Sequence, residues 1–192
     1  MSGAEHDLLT DVLMTADLGN RPVRPIQSSF MNSVIVDLQY QFADDPLQCL
    51  QKLARAVMEL TGAQSSGVSL LDHNKSESAF KWYAVSGKWK EYAGHCMPHD
   101  ASPCGIAFER KTLQLFARPE RCFSALSAFT PSVAEGLYAP FDDGAQARGV
   151  VWGVFHRKDL QFDAQDAFML QELARLATSA CQRMIGQQAQ KK

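Results

Sequence analysis

The sequence predicts an α+β domain with an antiparallel sheet at its centre. Two long amphipathic helical patterns, at residues 45–62 and 163–184, enclose the rest of the domain. Between them lie two pairs of strand-like segments, and only a short polar turn separates the segments of the first pair. Helices at the ends with paired strands between them are typical of an α+β fold.

The composition is that of an ordinary globular domain in a reducing compartment. The chain has 192 residues, 46% of them hydrophobic, so it can bury a core without disulfides. A net charge of −2 excludes a general attraction to nucleic acid or to an anionic membrane. The five cysteines are scattered without a CxxC pair, as expected for a cytoplasmic protein. No apolar run reaches the ~18 residues of a membrane span, and the N-terminus does not resemble a signal peptide.

The first 42 residues are predicted to be a short helix and a linker. Residues 4–18 place several apolar side chains on one broad helical face. Two prolines make residues 19–30 a linker, because each restricts its predecessor to extended geometry. Residues 31–42 fit a helix or a strand equally well. The domain itself is predicted at residues 43–186, followed by a tail at 187–192.

The first element of the domain is a helix that begins at Asp45. Asp45 can cap the helix, and Pro46 takes the first helical position, where its missing N–H costs nothing. Apolar residues then recur every three or four positions as far as Leu60, and Gly62 ends the helix. The apolar stripe predicts that this helix packs on the sheet.

A β-hairpin follows the first helix. Strands are predicted at residues 66–72 and 79–85, joined by a turn at 73–75. Simple alternation places three side chains on one face of the second strand. These are Phe80, Trp82 and Ala84.

Residues 86–132 form a long connection with little regular pattern. One helix start is clear, because Ser102 can cap a helix and Pro103 can take its first position. Residues 113–117 have the pattern of an extended segment, and residues 119–129 fit a short helix. Long irregular connections inside compact domains are usually functional, so a ligand is expected here.

The chain ends with a second strand pair and a long helix. The strands are predicted at residues 133–140 and 149–156, and the helix begins at Asp163. Two adjacent stripes on the helix predict that one packs on the sheet while the other contacts a second subunit. We therefore expect a homodimer through the terminal helices, and a frayed tail from Gln187. The stripes are Ala167, Leu170, Ala174, Ala177, Cys181 and Met184, and beside them Met169, Leu173, Leu176 and Ala180.

A series of short motifs resembles the GAF domain, in particular the GAF modules of bacterial sensor histidine kinases and related signalling proteins. The most specific motif is Met97-Pro98-His99-Asp100-Ala101-Ser102-Pro103-Cys104-Gly105. The resemblance covers residues 43–185, and residues 16–25 resemble the leader of such modules. The other motifs, in chain order, are residues 113–116, 119–123, 136–141, 149–152 and 162–166.

The resemblance implies a GAF-like central antiparallel sheet with the N- and C-terminal helices of the domain on one face. It also implies a sensory role in bacterial signal transduction, with a kinase or another signalling protein as the partner. GAF domains as a class bind cyclic nucleotides, bilins, haem, flavin-like groups or amino acids, so the ligand and any cofactor stay unknown. The residues associated with cyclic-nucleotide binding and the cysteine–histidine order of bilin-binding modules are absent here. No output domain follows in this sequence.

Cys104 is the strongest candidate among the possible site residues. At the second position of a predicted helix it faces unpaired backbone N–H groups and the positive end of the helix dipole, which lower a thiol pKa. A thiolate there would be a redox sensor, a covalent anchor or a metal ligand. The alternative is an inert core residue, since cysteine is among the most buried types. We expect Cys104 to be the most reactive thiol, and Cys49 and Cys181, on apolar helix faces, to have raised pKa values.

A small-molecule pocket is predicted between the sheet face that carries Trp82 and Trp152 and the irregular residues 94–130. Aromatic rings on that face either stack on a planar ligand or fill the core. The candidate ligand-binding residues are Cys104, Trp82, Phe80, Trp152, His95 and Arg121.

The remaining polar candidates have simpler alternatives. Arg118 and Arg121 can hold a carboxylate or phosphate, or lie on a solvated surface. His95 and Cys96 lie near Cys104, but the spacing matches no zinc motif, so no metal is assigned. His156 is predicted to be a hydrogen-bonded histidine at a strand end.

Three functions are compatible with these observations. The leading one is a sensory domain that acts through a partner or its own dimer. The second is a thiol-based reductase of a small oxidised metabolite, because Cys104-Gly105 resembles the free-methionine-sulfoxide reductase branch; it would need a resolving cysteine within disulfide reach. The third is a dimerisation module without a ligand. No Ser/His/Asp arrangement, phosphate loop or carboxylate pair indicates other catalysis, so an enzyme is not expected.

Overall fold

The computed structural model describes residues 3–24, 33–38, 46–72, 78–144 and 148–189. The predicted cap Asp45, the turn at 73–75 and the second half of the predicted linker lie outside these residues. Residues 33–38 are helical, and no helix in the described ranges is long and apolar enough to cross a membrane. The longer helices are α1 (Gly3–Val12), α2 (Pro46–Thr61), α3 (Pro103–Arg110) and α4 (Ala164–Ala189).

The strands form one antiparallel sheet, which confirms the predicted α+β class. Their order across the sheet is β3-β2-β1-β6-β5-β4, and the predicted hairpin is the β1–β2 pair. The strand β3 has only three residues, too few for a periodic pattern to reveal it. The strands are β1 (Ser65–Asp72), β2 (Ala79–Gly87), β3 (Cys96–Pro98), β4 (Gln114–Ala117), β5 (Glu135–Asp142) and β6 (Arg148–Phe155).

The helix predicted at residues 119–129 is instead two 3-10 turns, Pro119–Arg121 and Ser124–Ala128. The backbone leaves helical geometry at Phe123 (φ −111°, ψ 86°) and again at Phe129 (φ −101°, ψ 136°), and these two breaks limit the segment to short turns. Short 3-10 turns are the usual substitute, with backbone bonds that stay local.

One face of the sheet is covered by α2 and α4, which lie side by side. This is the arrangement expected for the helices at the ends of the domain. Their side chains and those of the sheet form a largely aliphatic cluster in which Leu53, Val57, Leu170 and Leu173 are all 0% exposed. We call this the helix face.

Between Met169 and Cys181 both apolar stripes of α4 pack on the helix face, and all their side chains are buried except Leu176, which is half-buried. The prediction that one stripe contacts a second subunit is therefore wrong for these residues, because α2 covers the part of α4 that the sheet does not. A homodimer through the terminal helices stays a prediction, and on α4 the outer side, where Phe168 is exposed, is open to it.

The opposite face of the sheet is covered by α3 and the two 3-10 turns. We call residues 94–130, which contain these elements together with the edge strands β3 and β4, the cover segment. The cluster beneath it is largely aromatic, and we call this side the cover face. Its rings include Phe80, Trp82, Trp89, Phe116, Phe123, Phe129, Tyr138 and Trp152.

A β-bulge corrects one prediction about the second strand. Val68 pairs with Ala84, but the next residue, Ser69, pairs with Trp82, so Tyr83 is an extra residue in the ladder. A bulge of this kind reverses the alternation of side chains beyond it. Ala84 therefore packs on the helix face, whereas Trp82 packs on the cover face.

The N-terminal residues run along the free edge of the sheet. The helix α1 ends at Val12 and packs Leu9 and Val12 into the aromatic cluster of the cover face. It does not continue to residue 18 as predicted, because Leu13 forms a bridge with Phe116 of β4. Residues 15–20 form a 3-10 helix. We call residues 13–24 the strap.

Candidate functional site

The cover segment encloses a cavity of about 10 Å³ against the cover face. The cavity lies where the sequence places the pocket, and three candidate residues, Trp82, Trp152 and Cys104, meet there. The volume suffices for about one water molecule. The metabolite-sized space expected from the sequence is therefore filled by aromatic side chains in this structure. The lining residues are Trp82, Trp89, Met97, Ser102, Pro103, Cys104, Leu126, Tyr138 and Trp152.

Larger clefts lie on the surface of the molecule. One of about 380 Å³ runs between Lys111 and the side of α4 near Arg175. It is open to water and has a mainly polar lining. We place the candidate site at the small enclosed cavity, because the predicted residues Trp82, Trp152 and Cys104 meet in its wall.

The three tryptophans of the chain differ in their hydrogen bonds. Trp152 Nε1 donates to Ser69 Oγ at 2.8 Å, and Trp89 Nε1 donates to the Pro131 carbonyl oxygen at 3.0 Å. Trp82 Nε1 is buried and has no acceptor among the described residues. An unpaired buried donor costs about 1–3 kcal/mol. Trp82 is therefore a buried donor whose hydrogen bond no described residue completes.

Cys104 lies in the first turn of α3, and the predicted cap is present. Ser102 Oγ accepts a hydrogen bond from Gly105 N at 3.2 Å. Gly105 is required because a Cβ there would lie 1.6 Å from the His99 carbonyl oxygen. Cys104 Sγ is buried and lies 3.9 Å from Ser69 Oγ.

Burial raises the pKa of the Cys104 thiol from its ordinary value of 9.0 to about 12. The predicted low pKa is therefore wrong. The rise corresponds to about 4 kcal/mol, whereas a helix dipole contributes about 0.3–1 kcal/mol. The cost of desolvating the thiolate exceeds the stabilisation by the helix dipole, so Cys104 is a neutral core thiol. The raised pKa values expected for Cys49 and Cys181 are confirmed, since burial raises both to about 12.

Tyr138 is the other titratable group in the cavity wall. Burial raises its pKa well above the ordinary value of 10.0, and nearby Cys104 and Glu120 raise it further. The wall therefore consists of neutral groups. It can stack on rings and exchange hydrogen bonds, but it contains no ionised nucleophile or general base.

Three of the predicted ligand-binding residues lie away from the cavity. Phe80 is fully buried and stacks on His99 with ring centroids 5.7 Å apart. His95 is exposed at the surface. Arg121 is also exposed, 3.6 Å from Asp11 of α1. Within the described residues, no three His, Cys, Asp or Glu side chains converge as metal ligands.

His156 confirms the prediction of a hydrogen-bonded histidine at a strand end. Its Nδ1 donates to the Ser132 carbonyl oxygen at 2.9 Å, and its Nε2 accepts from Ser65 Oγ at 2.8 Å. Its ring lies 5.2 Å from that of Trp89. Burial lowers the pKa of His156, and the charge of Lys88 lowers it further.

The strap ends in a buried ion pair next to the start of α4. Arg21 binds Glu135 through two hydrogen bonds of 2.9 Å each. The same two side chains hold the backbone of Phe162: its carbonyl oxygen accepts from Arg21 Nη1 at 2.7 Å, and its N–H donates to Glu135 Oε2 at 2.7 Å. The side chains are only 12% and 6% exposed, so solvent screens this pair weakly.

Arg24 binds the first turn of α4 itself. Its backbone N–H donates to Asp163 Oδ2 at 2.8 Å, and its guanidinium contacts both Asp163 and Asp166. These two aspartates cap the helix reciprocally, each accepting from the backbone N–H of the other at 2.9–3.0 Å. Desolvation raises the pKa of Asp166 to about 6. We call the contacts of Arg21 and Arg24 the clamp.

The sequence pattern did not reveal Trp89 or the clamp. Arg21 and Arg24 lie among prolines that indicate a linker, and the three-residue spacing of the two arginines is the only local signal. Their partner Glu135 is 114 positions from Arg21. No periodicity connects residues so far apart.

Solved structures of distant sequence share this fold. A GAF domain of a phosphoenolpyruvate-protein phosphotransferase from Acinetobacter matches with a TM-score of 0.69 at 12% identity, over 85% of this chain and 97% of that chain. Free methionine-R-sulfoxide reductase from Neisseria meningitidis, solved with its substrate, matches with a TM-score of 0.61 at 20% identity, over 83% and 93%. The second GAF domain of DevS from Mycobacterium smegmatis matches with a TM-score of 0.59 at 20% identity, over 76% and 99%.

No protein-family model and no curated protein sequence matches the chain. At identities of 20% or less, the likenesses to these structures concern the fold alone. They confirm the fold implied by the motif resemblance.

Proposed function

We propose that this chain, which has the GAF fold, is a cytoplasmic sensory domain of bacterial signal transduction. In this proposal residues 43–186 are the sensor, and a small molecule binds beneath the cover segment. Binding changes the conformation of the domain, and this conformational change is passed to a kinase or another signalling partner. The GAF domains among the similar structures support this role by analogy of fold.

The observation that carries the proposal is a continuous path from the cover segment to α4. The helix α1 packs against the turn Pro119–Arg121 of the cover segment. The strap then bonds the edge strand, with Met14 N donating to the Leu115 carbonyl oxygen at 2.8 Å. The clamp joins the strap to the start of α4. A displacement under the cover therefore has a physical route to a helix whose outer side faces solvent.

The cover segment is suited to such a displacement. Its two 3-10 turns are held mainly by local backbone bonds, such as Leu126 N to the Phe123 carbonyl oxygen at 3.0 Å. These turns can move without breaking the strand pairs of the sheet, and segments with few non-local backbone bonds open most easily.

The test is hydrogen–deuterium exchange with metabolites selected by thermal shift. We expect a binder to slow exchange at residues 119–130 and, through the strap, at residues 162–168. In the double variant Arg21→Met with Glu135→Gln, the binder should still slow exchange at residues 119–130 but should no longer slow it at residues 162–168. Replacing both partners avoids a buried unpaired carboxylate. The matched control is Arg157→Ala, whose ion pair with Asp159 is exposed.

Two results would overturn the proposal in different ways. If no metabolite in a broad panel changes exchange in the cover segment, the domain is not a small-molecule sensor. If a binder slows hydrogen–deuterium exchange in the cover segment of the wild-type protein but never at residues 162–168, the proposed route through the strap is wrong.

The reductase alternative receives no support from the site. It requires a nucleophilic thiolate, and burial raises the pKa of Cys104 to about 12. The likeness to free methionine-R-sulfoxide reductase concerns the fold alone.

A dimerisation module without a ligand is the second candidate, and the small volume of the cavity, about 10 Å³, favours it. In that case the aromatic cluster is ordinary core, and the homodimer is the functional state. Sedimentation would decide: a clean monomer at ~100 μM, which corresponds to a dissociation constant on the millimolar scale, would remove this candidate.

A further inference from the structure

We infer that the free edge of β5, between Ala139 and Asp142, is a docking site for an extended segment of a partner protein in which apolar and acidic residues alternate. This docking site lies apart from the small enclosed cavity and does not depend on a ligand there. The strand β5 pairs with β6 as far as Asp142, whereas it pairs with β4 only as far as Tyr138. The last four residues of β5 therefore have a neighbouring strand on one side only.

The backbone groups at this edge can be assigned from those of β4. Leu115 directs both its N–H and its carbonyl oxygen to the strap, so the adjacent Gln114 directs its own to Tyr138 of β5. Because these groups alternate along a strand, those of Pro140 and Asp142 point to the same side as those of Tyr138. The edge therefore offers the Pro140 carbonyl oxygen and the N–H and carbonyl oxygen of Asp142. The missing N–H of Pro140 faces this edge, where proline is tolerated.

The chain that precedes β4 is held away from this edge. Gln114 Nε2 donates to the Thr112 carbonyl oxygen at 3.2 Å, which keeps that carbonyl out of the ladder. Lys111 has a left-handed φ of 53°, which turns the chain at the end of α3. Among the described residues, no backbone hydrogen bond joins residues 111–113 to residues 139–142. The residues that could have extended β4 therefore leave the edge of β5 unpaired.

A cleft lies on each face of this edge. The cleft on the cover face has a volume of about 350 Å³ and lies beside Phe108. The cleft on the helix face has a volume of about 380 Å³ and lies against α4. Pro140, Phe141 and Asp142 line both clefts. Because successive side chains of a strand point to opposite faces of a sheet, an added strand places its side chains alternately in the two clefts.

The charges favour different side chains in the two clefts. Lys111, which forms no ion pair within the described residues, and Arg175, whose pair with Glu172 is exposed, line the cleft on the helix face. By the alternation of β5, the Asp142 carboxylate lies on the cover face, where it repels a second carboxylate beside the apolar ring of Phe108. An acidic side chain therefore fits the helix face and an apolar side chain fits the cover face.

The added strand is antiparallel to β5, as β4 is. In β4, Phe116 directs its backbone groups to β5 and its side chain to the cover face, whereas Leu115 directs its backbone groups to the strap and its side chain to the helix face. A segment that continues β4 follows the same rule. Its apolar residues therefore supply the N–H groups that bond Pro140 and Asp142, and the N–H groups of its acidic residues point away.

The probe is the capped peptide acetyl-Val-Glu-Val-Glu-Val-Glu-amide, titrated into the ¹⁵N-labelled full chain. We expect signals of residues 111–113, 139–142 and 171–178 to shift. With the peptide at about ten times its dissociation constant, amide exchange of Asp142 should slow about tenfold. Phe141, whose N–H already faces β6, should change by less than about twofold. Methylation of the valine nitrogens should weaken binding at least about tenfold, and methylation of the glutamate nitrogens should weaken it by no more than about threefold.

A pair of lysine variants tests the charge. Lys111→Asn removes the unpaired ammonium but keeps a residue that tolerates left-handed geometry, and it should weaken binding of the peptide about fivefold. The matched control is Lys158→Asn, which removes an exposed lysine beyond the opposite end of β6. It should change the affinity by less than about twofold, because the charge lies more than a Debye length from the edge.

Other results would overturn the docking site. Equal binding of acetyl-Val-Val-Val-Glu-Glu-Glu-amide would show that alternation has no role, and equal losses from the two methylated peptides would refute strand pairing. If inorganic phosphate displaced the peptide and shifted the same signals, the edge would be a site for small anions only. No binding at about 5 mM peptide, a millimolar-scale affinity, would exclude the site. The metabolite screen would be unaffected, because it monitors residues 119–130.

Discussion

The two faces of the sheet are packed in different ways. On the helix face, two regular helices interlock aliphatic side chains, and the cluster is closed around residues such as Leu53 and Leu170. On the cover face, large rings lie beneath short turns, and one buried donor, Trp82 Nε1, has no partner among the described residues. Interlocked aliphatic layers specify one arrangement, whereas locally bonded turns open at low cost. From this contrast we expect the helix face to provide most of the stability, and the proposed function assigns the capacity to change to the cover face.

The largest expected effect is on stability, from one truncation on each face. Leu53→Ala should lower the free energy of unfolding by about 2–5 kcal/mol, because the packed helices cannot close the void. Leu126→Ala should cost about 2 kcal/mol or less, because its 3-10 turn can settle into the space. Urea denaturation of both variants measures the difference. Equal losses would contradict the contrast between the faces.

Two tryptophan substitutions sharpen the comparison within the cover face. Trp152→Phe and Trp82→Phe remove similar volume, but only the first breaks a hydrogen bond and leaves Ser69 Oγ without that donor. Trp152→Phe should therefore be less stable than Trp82→Phe by about 1–3 kcal/mol. Thermal unfolding of the two variants tests this. A more damaging Trp82→Phe would mean that its N–H is already paired.

Acidification should affect the two faces in opposite directions. The pKa of His156 is lowered below 6.5, so stability is lost as the pH falls through 6.5 and the unfolded chain binds a proton first. The pKa of Asp166 is raised from 3.8 to about 6, so the folded state binds a proton first, and stability is gained between pH 7 and pH 4. His156→Gln should remove the loss and Asp166→Asn the gain, as measured by unfolding at pH 7 and pH 5. A pH dependence unchanged in both variants would contradict these assignments.

The smallest expected effect concerns the order in which the cysteine thiols react. Cys104, Cys49 and Cys181 are buried with pKa values near 12, whereas Cys96 and Cys122 are half-buried. Brief alkylation at neutral pH followed by peptide mapping should label Cys96 or Cys122 before the other three, because only the thiolate reacts. Early labelling of Cys104 in the native protein would show that the cover face opens far more often than this structure indicates.

The regular elements of the fold could be predicted from the sequence because their signals are local. The stripe of α2, the alternation of β6 and the Ser102–Pro103 helix start all lie within one element, and all are present. The errors concern events without a periodic signal. The bulge at Tyr83 adds one residue to a strand, and the end of α1 depends on a bridge to Phe116.

The site was less predictable because its properties are tertiary. The position of the pocket follows from the order of elements, but whether rings fill it depends on Trp89 and Phe129, which no motif connects. The dipole acting on Cys104 is a local property, but the burial that outweighs it comes from other strands. The apolar stripes on α4 have a spacing that suits either packing within the domain or contact with a second subunit. Only the position of α2 decides between these two possibilities.

The gathering of all three tryptophans has a practical consequence. Their ring centroids are 5.0–6.1 Å apart, and the chain has no other tryptophan. At such separations excitation energy passes readily between indoles, so the intrinsic fluorescence of the whole protein originates from one place, the cover face. The emission wavelength and intensity therefore provide a label-free measurement of the opening that the proposed function requires of the cover segment. In an assembly whose other chains lack tryptophan, this fluorescence would still report on the cover face alone.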